Sequence, residues 1–156
     1  MNLTSRLCVA SLVIGMAMVS AIQAQEKKIK REELPPAVEK TVAEQSRGAT
    51  IRGFSTEIEK GNRLYEAELT VNGHGKDISM DEKGNIVEVE EQVSMDSLAP
   101  SVKEGLKKAA GTGTIGKIES ITKSGKLVAY EAVVKRGRKR SEIQVGPEGK
   151  KLAHPE

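Results

Sequence analysis

Apolar and polar side chains alternate strictly from Tyr65 to Val71, with an apolar residue at every second position. Successive side chains of a β-strand point to opposite faces of a sheet. The pattern therefore predicts a strand with one buried and one solvated face. Residues 128–134 repeat the pattern around Tyr130. Because the two tyrosines take equivalent places on apolar strand faces, we expect both rings to belong to the core.

The residues around these two strands correspond to each other along the chain. Residues 34–38 (LPPAV) match residues 98–102 (LAPSV) at an offset of 64, and the YEA sequence at residues 65–67 recurs at residues 130–132 at an offset of 65. The shared residues are apolar, proline and glycine residues, which a duplicated fold has to keep. Two copies are too few for a solenoid, so we interpret the chain as a paired unit.

Each copy is predicted to contain one helix followed by four antiparallel strands. The apolar stripes of the two helices have a spacing of four residues: Leu34, Val38 and Val42 in the first copy, and Leu98, Val102 and Leu106 in the second. Proline at the start of each stripe suits the first helical turn. The sequence Asn72-Gly73 is typical of a tight hairpin, and Gly53 indicates a β-bulge.

These patterns predict an α+β fold of two tandem repeats, at residues 34–93 and 94–156. Each repeat is a helix plus a four-stranded antiparallel sheet. Residues 25–33 are charged and lack apolar periodicity, so we expect a flexible leader there. Each repeat alone would have a marginal core at roughly 60 residues. We therefore expect the repeats to pack together or to share one sheet.

The N-terminal 24 residues have the pattern of a signal peptide. Arg6 precedes an apolar run at residues 7–19, which is shorter than a typical membrane span. Small residues indicate cleavage near Ala24, with cleavage after Ala21 or an uncleaved membrane anchor as alternatives. Cys8, the one cysteine, lies within this segment. The exported chain, periplasmic or secreted, is therefore predicted to have no disulfide, thiolate nucleophile or cysteine-based metal site.

Three segments together carry a family resemblance: residues 34–38, residues 65–67, and residues 78–86 with the sequence ISMDEKGNI. They resemble the exported PepSY-like domain proteins, in particular the β-lactamase-inhibitor-protein-like (BLIP-like) group. The resemblance covers both copies, from about Leu34 to Leu152. It implies a helix against a curved antiparallel sheet, in tandem, that acts as a binding or inhibitory module outside the cytoplasm and needs no cofactor.

A cluster of cations surrounds the predicted hairpin at Gly137. It consists of Lys135, Arg136, Arg138, Lys139 and Arg140. Such a patch is a candidate binding surface for an acidic partner, although most clusters of this kind are solvated turns. No aromatic residue is interleaved for base stacking, so we expect no nucleic acid. The formal net charge of +3 is small and favours no partner by itself.

Three further patterns do not meet the requirements of the sites they suggest. The glycines of residues 111–116 follow a helix and precede a strand, which is the reverse of a dinucleotide-binding turn. Asp77, Ser79 and Asp81 have calcium-loop spacing, but Glu82 stands where that loop needs glycine. His74 and His154 have no partner ligand at metal spacing. We therefore expect no cofactor and no metal site.

The sequence contains no Ser-His-Asp arrangement, and its only repeated acids on the central strands are Glu66 and Glu131. We therefore expect a non-enzymatic binding or inhibitory module that recognises a protein or peptide in the cell envelope. A regulator of an envelope hydrolase remains an alternative. Another is a structural protein that self-associates by pairing an acidic sheet edge at Glu88, Glu90 and Glu91 with the basic hairpin.

Overall fold

The computed structural model describes residues 26–152 and 154–156. Eight antiparallel strands form one sheet whose spatial order follows the chain from β1 to β8. In chain order the elements are β1 (Lys27–Ile29), α1 (Pro36–Gln45), β2 (Thr50–Glu59), β3 (Asn62–Val71), β4 (His74–Asp81), β5 (Ile86–Val93), α2 (Pro100–Ala110), β6 (Thr114–Lys123), β7 (Lys126–Arg136) and β8 (Lys139–Val145). Among the described residues, no helix is long and apolar enough to cross a membrane.

The prediction of two tandem repeats, each a helix plus a four-stranded antiparallel sheet, is wrong, although the mixed α+β class is right. β5 pairs with β6 over six residue pairs, from Glu88 with Lys123 to Val93 with Ile118, so the ladder continues between the two halves of the chain. The second half supplies three strands, and among the described residues beyond β8 only Lys151 forms a bridge, with Val145. The shared ladder satisfies the backbone groups that each half alone would leave at an exposed edge.

The segment predicted to be a flexible leader contains the first strand of the sheet, β1. Residues 27–29 pair with residues 54–56 of β2, and Ile29 packs against the core around α1. A single 3₁₀ turn, Arg31–Glu33, follows, and the Arg31 guanidinium contacts the Glu39 carboxylate of α1 at 2.6 Å. A short edge strand leaves too little periodicity in the sequence to be detected. The predicted signal peptide lies outside the described residues.

Both helices pack on the same side of the sheet, because the apolar stripe of each helix lies against the apolar face of the strands. Val38 and Val42 of α1 contact a core that includes Tyr65, Leu69 and Ile78. The stripe of α2 packs in the same way over β6 to β8, with Leu106 fully buried. The predicted stripes are therefore buried as expected, although Leu34 and Leu98 lie just before the helices and not within them. Tyr65 is buried as expected, whereas Tyr130 is half-buried and packs against the core under α2.

Two turn glycines let the turns that follow β4 and β8 touch the helices. A Cβ atom at Gly84 would lie 2.5 Å from the Ala37 carbonyl oxygen of α1, and one at Gly149 would lie 2.0 Å from the Ser101 carbonyl oxygen of α2. Both glycines have positive φ, 78° and 76°, where other residues are strained. Close backbone contact thus seats each helix on its half of the sheet.

Gly105 in the middle of α2 provides a test of this contact. Alanine has a helix propensity about 1 kcal/mol more favourable than glycine, but a Cβ at position 105 would lie 1.9 Å from the Gly149 carbonyl oxygen. We expect Gly105→Ala to lower the free energy of unfolding by about 1–3 kcal/mol through overpacking. Urea denaturation measures the change. The exposed neighbour Glu104, changed to alanine, should stay within about 0.5 kcal/mol of wild type, and stabilisation by Gly105→Ala would contradict the packing described here.

Candidate functional site

The helix-free face of the sheet carries an ordered array of carboxylates. The strand register places one row of residues across β1 to β6: Lys28, Ser55, Glu66, Ser79, Glu88 and Lys123. A second row crosses β2 to β6: Gly53, Glu68, Asp77, Glu90 and Ile121. Glu119 and Glu131 lie opposite each other on β6 and β7. We call this surface the acidic face, defined by Glu66, Glu68, Asp77, Glu88, Glu90, Glu119 and Glu131.

We infer from burial and strand irregularities that the acidic face is concave. Ser55 and Ile121 point to this side, where no helix of the described residues packs, yet each is only 1% exposed. Carboxylate oxygens of Asp77 on β4 and Glu119 on β6 come within 4.8 Å of each other across β5, although strands two places apart are separated by about 9.6 Å. Register shifts in β2, β4 and β6 supply the bends that curve the sheet.

A small cavity lies at one end of this concave surface. Its volume is about 170 Å³, and its lining comes from five consecutive strands and the turn between β2 and β3. Glu57, Leu64, Ser79, Glu88 and Lys123 contribute to the wall. A larger groove of about 910 Å³ lies between α2 and the side of β8, with residues 148–152 and Pro155 completing its lining.

Four cations neutralise part of the acidic face. Arg52 binds the Asp77 carboxylate at 2.6 Å and approaches Glu68 at 3.5 Å, and Lys28 also contacts Glu68. Lys123 contacts Glu88 at 3.1 Å. Lys117 contacts Glu119 at 2.7 Å. The seven carboxylates therefore outnumber their four cationic partners, in a chain whose formal net charge is +3.

Burial and crowding of like charges shift the titration of this face. Burial, reinforced by the negative charge of Asp77, raises the pKa of Glu66 to about 7. Burial, together with Glu119 and Glu88, raises the pKa of Glu90 to about 8. Burial also raises the pKa values of Asp77 and Glu131, against the opposing effects of Arg52 and of a hydrogen bond from Gln144. The face thus holds protons near neutral pH, as functional sites often do.

The basic hairpin predicted as a binding surface is exposed at the turn between β7 and β8. Arg136 has a structural contact that the sequence did not reveal, because its guanidinium donates to the carbonyl oxygens of Ala110 at 2.9 Å and Ala109 at 3.4 Å at the end of α2. Within the described part of the chain, the other four side chains form no ion pair: Lys135, Arg138, Lys139 and Arg140.

The structure does not support three groupings that the sequence suggested. Glu66 on β3 and Glu131 on β7 have three strands between them, so they are not paired on adjacent strands. Glu88 and Glu90 do not form a sheet edge, because β5 is paired on both sides. The carboxylate of Asp81 accepts hydrogen bonds from the backbone amides of Lys83 and Asn85 in the turn after β4, which separates it from Asp77 on the acidic face.

Most acids of this face could be singled out from the sequence, but Glu119 was not, and the assembly of these acids was missed. The period-two pattern places Glu66 with Glu68 and Glu88 with Glu90. The joining of these pairs to Asp77 and Glu119 depends on strand register, which no local pattern specifies. The one available signal was the recurrence of acids at the solvated positions of successive predicted strands.

No protein-family model and no curated protein matches the chain. Solved structures do. A DUF2874 family protein from Bacteroides ovatus superposes with a TM-score of 0.60 at 19% identity, covering 76% of this chain and 84% of that one. A BLIP-like protein from Bacteroides fragilis superposes with a TM-score of 0.54 at 19% identity, covering 74% of this chain and 81% of that one. These likenesses show a fold of the BLIP-like group and, at such identities, the fold alone.

The hydrogen bonds of Arg136 predict a difference between two arginines of the basic hairpin. Changing Arg136 to Gln removes a cation from the negative end of the α2 dipole and should lower the free energy of unfolding by about 0.5–1 kcal/mol. Arg138→Gln should change it by less than about 0.5 kcal/mol. Urea denaturation of both variants measures this, and equal effects would contradict the capping contact.

The raised pKa values predict that the chain loses stability as pH rises. Between its ordinary value of 4.5 and about 7, the Glu66 carboxyl is protonated more fully in the folded chain than in the unfolded one. Its contribution is therefore fully present below about pH 4.5 and lost as pH rises through about 7. Glu90 acts in the same direction up to about pH 8. We expect a lower urea midpoint at about pH 8 than at about pH 5, in a chelator-containing buffer.

Glu66→Gln should reduce this loss. After allowance for partial solvent screening, the free energy of unfolding of the variant should exceed that of wild type by on the order of 1 kcal/mol at about pH 8. At about pH 5 the two should differ little. Glu44→Gln on the exposed side of α1 serves as the control and should have the stability of wild type at both pH values. A wild-type chain whose stability increases over this range would contradict the burial of these carboxyls.

Proposed function

We propose that this chain is an exported, non-enzymatic binding module that recognises a protein or peptide in the periplasm. Support comes from the signal-peptide pattern with cleavage near Ala24 and from the fold shared with a BLIP-like protein. A protein from Bacteroides eggerthii that carries a provisional periplasmic assignment has a similar fold, with a TM-score of 0.62 at 15% identity over 76% of this chain and 86% of that one. A PepSY-like relationship is part of the proposal and rests on the sequence motifs.

The acidic face is the recognition surface in this proposal. The observation that carries it is the excess of carboxylates on a concave, partly desolvated surface where Lys28, Arg52, Lys117 and Lys123 neutralise only some of them. A partner segment bearing lysine or arginine would complement that charge. It would also relieve the repulsion from neighbouring carboxylates that, in addition to burial, raises the pKa of Glu90. The partner is therefore a basic segment of a protein or peptide.

The basic hairpin is a second candidate surface. None of its five exposed cations has an ion-pair partner within residues 26–152 and 154–156. They would bind an acidic partner, and one such partner is the acidic face of a second copy. That arrangement is the structural, self-associating alternative. Regulation of an envelope hydrolase is the specific role that the BLIP-like fold suggests.

A pull-down with three baits tests the proposal. The baits are the chain from residue 25 to residue 156, the same chain with Glu66→Gln and Glu88→Gln, and the chain with Arg138→Gln and Arg140→Gln. The hairpin variant leaves Arg136 intact because that side chain caps α2. Each bait is incubated with an envelope extract at low and high salt, retained proteins are identified, and titration calorimetry with the purified partner follows.

The proposal predicts a partner whose affinity falls at least about tenfold with the acidic-face variant, since charge complementarity is lost, and is unchanged with the hairpin variant. The reverse result moves recognition to the basic hairpin. Sedimentation at both salt concentrations distinguishes self-association from binding of another protein, because self-association would appear as a salt-sensitive dimer of the chain alone. Failure of all baits to retain a partner, with a monomer in sedimentation, would overturn the binding-module proposal.

A further inference from the structure

Three carboxylates of the acidic face converge on one point. Asp77 on β4 and Glu90 on β5 are direct cross-strand neighbours, and Glu119 lies on the adjacent strand β6. One oxygen of each carboxylate lies within 4.8 Å of the corresponding oxygens of the other two. These acids are separated widely in sequence, and only the shared ladder of β4, β5 and β6 brings them together.

Glu119 gives an independent indication that a ligand is missing from this cluster. The residue is 4% exposed, and its Oε2 atom contacts Lys117 Nζ at 2.7 Å. Its Oε1 atom is buried and has no hydrogen-bond partner among the described residues. An unsatisfied buried carboxylate oxygen is costly, and in native structures such an atom is usually satisfied by an ion or an ordered water.

The neighbouring cations do not complete the cluster. Arg52 contacts Asp77 at 2.6 Å and Lys117 contacts Glu119, while no ion pair in the described part of the chain includes Glu90. A proton on Glu90 would reduce the repulsion between carboxylates. A cation at the centre of the three carboxylates would reduce the same repulsion. It would also give Glu119 Oε1, which has no hydrogen-bond partner among the described residues, an electrostatic partner.

We propose that Asp77, Glu90 and Glu119 form a binding site for one Ca²⁺ ion. The three side chains offer only carboxylate oxygens, which favour hard cations over Zn²⁺ or Cu²⁺. Calcium–oxygen distances of about 2.3–2.6 Å allow ligand oxygens up to about 5 Å apart, and the three carboxylate oxygens lie within that limit. Ca²⁺ also tolerates irregular coordination, whereas Mg²⁺ demands a near-ideal octahedron, and waters complete the coordination of Ca²⁺.

This site differs from the calcium loop that the sequence suggested and that Glu82 excludes. Only Asp77 belongs to both groupings, because Asp81 binds the backbone of its own turn. The site does not depend on the proposed partner, since the isolated chain binds the ion. Loss of ion binding and loss of partner binding are therefore separate results.

Calorimetric titration of the metal-free chain with CaCl₂ tests the site, with MgCl₂ and KCl as comparisons. We expect one Ca²⁺ per chain and a rise in the thermal unfolding temperature that saturates, because the ion binds the folded chain alone. Glu119→Gln and Glu90→Gln should each weaken Ca²⁺ binding by about tenfold or more, since ligand charge sets affinity. Glu142→Gln, an exposed carboxylate on β8, is the matched control and should bind as wild type does.

Absence of a saturable Ca²⁺ effect on the wild-type chain at millimolar concentration would overturn the proposal. Equal Ca²⁺ binding by wild type, Glu119→Gln and Glu90→Gln would also overturn it, because the ion would then lie elsewhere. Circular dichroism of each variant identifies any that fail to fold. If Glu119→Gln is unfolded, Glu90→Gln decides between the outcomes.

Discussion

The pairing of β5 with β6 is the contact on which the rest of this structure depends. It converts two sets of strands, each with its own helix, into one sheet with both helices on the same side. The opposite side is then a continuous surface that neither α1 nor α2 covers. Because bulges in β2, β4 and β6 bend the sheet, that surface is concave and partly removed from water. The acidic face is the result of these two features together.

Desolvation of this face opposes stability while making the face suitable for binding. Carboxylates held close together and away from water destabilise one another in their charged form, which explains why the pKa values of Glu66 and Glu90 rise to about 7 and about 8. A proton, a divalent cation or the basic side chain of a partner can relieve the same repulsion. Sites that combine such strain with a concave surface are commonly functional, at some cost in stability.

Local features were predictable because each depends on a few neighbouring residues. The Asn72-Gly73 hairpin joins β3 to β4 as expected, and the register shifts between Ile51 and Gly53, where a bulge was predicted. The strand β1 was missed because three residues carry too little pattern. The contact of Arg136 with the end of α2 was missed as well, since its partner is 26 residues away and the cation cluster looked complete in itself.

The sequence by itself determined the helices, most of the strands and which face of each strand is apolar, because periodicity and turn chemistry are local properties of the chain. Only the tertiary structure decided that the sheet is continuous from β1 to β8. It also decided that Asp77, Glu90 and Glu119 meet. Strand register and curvature arise from backbone pairing between distant segments, so the position of a carboxylate relative to those on neighbouring strands is a property of the folded sheet.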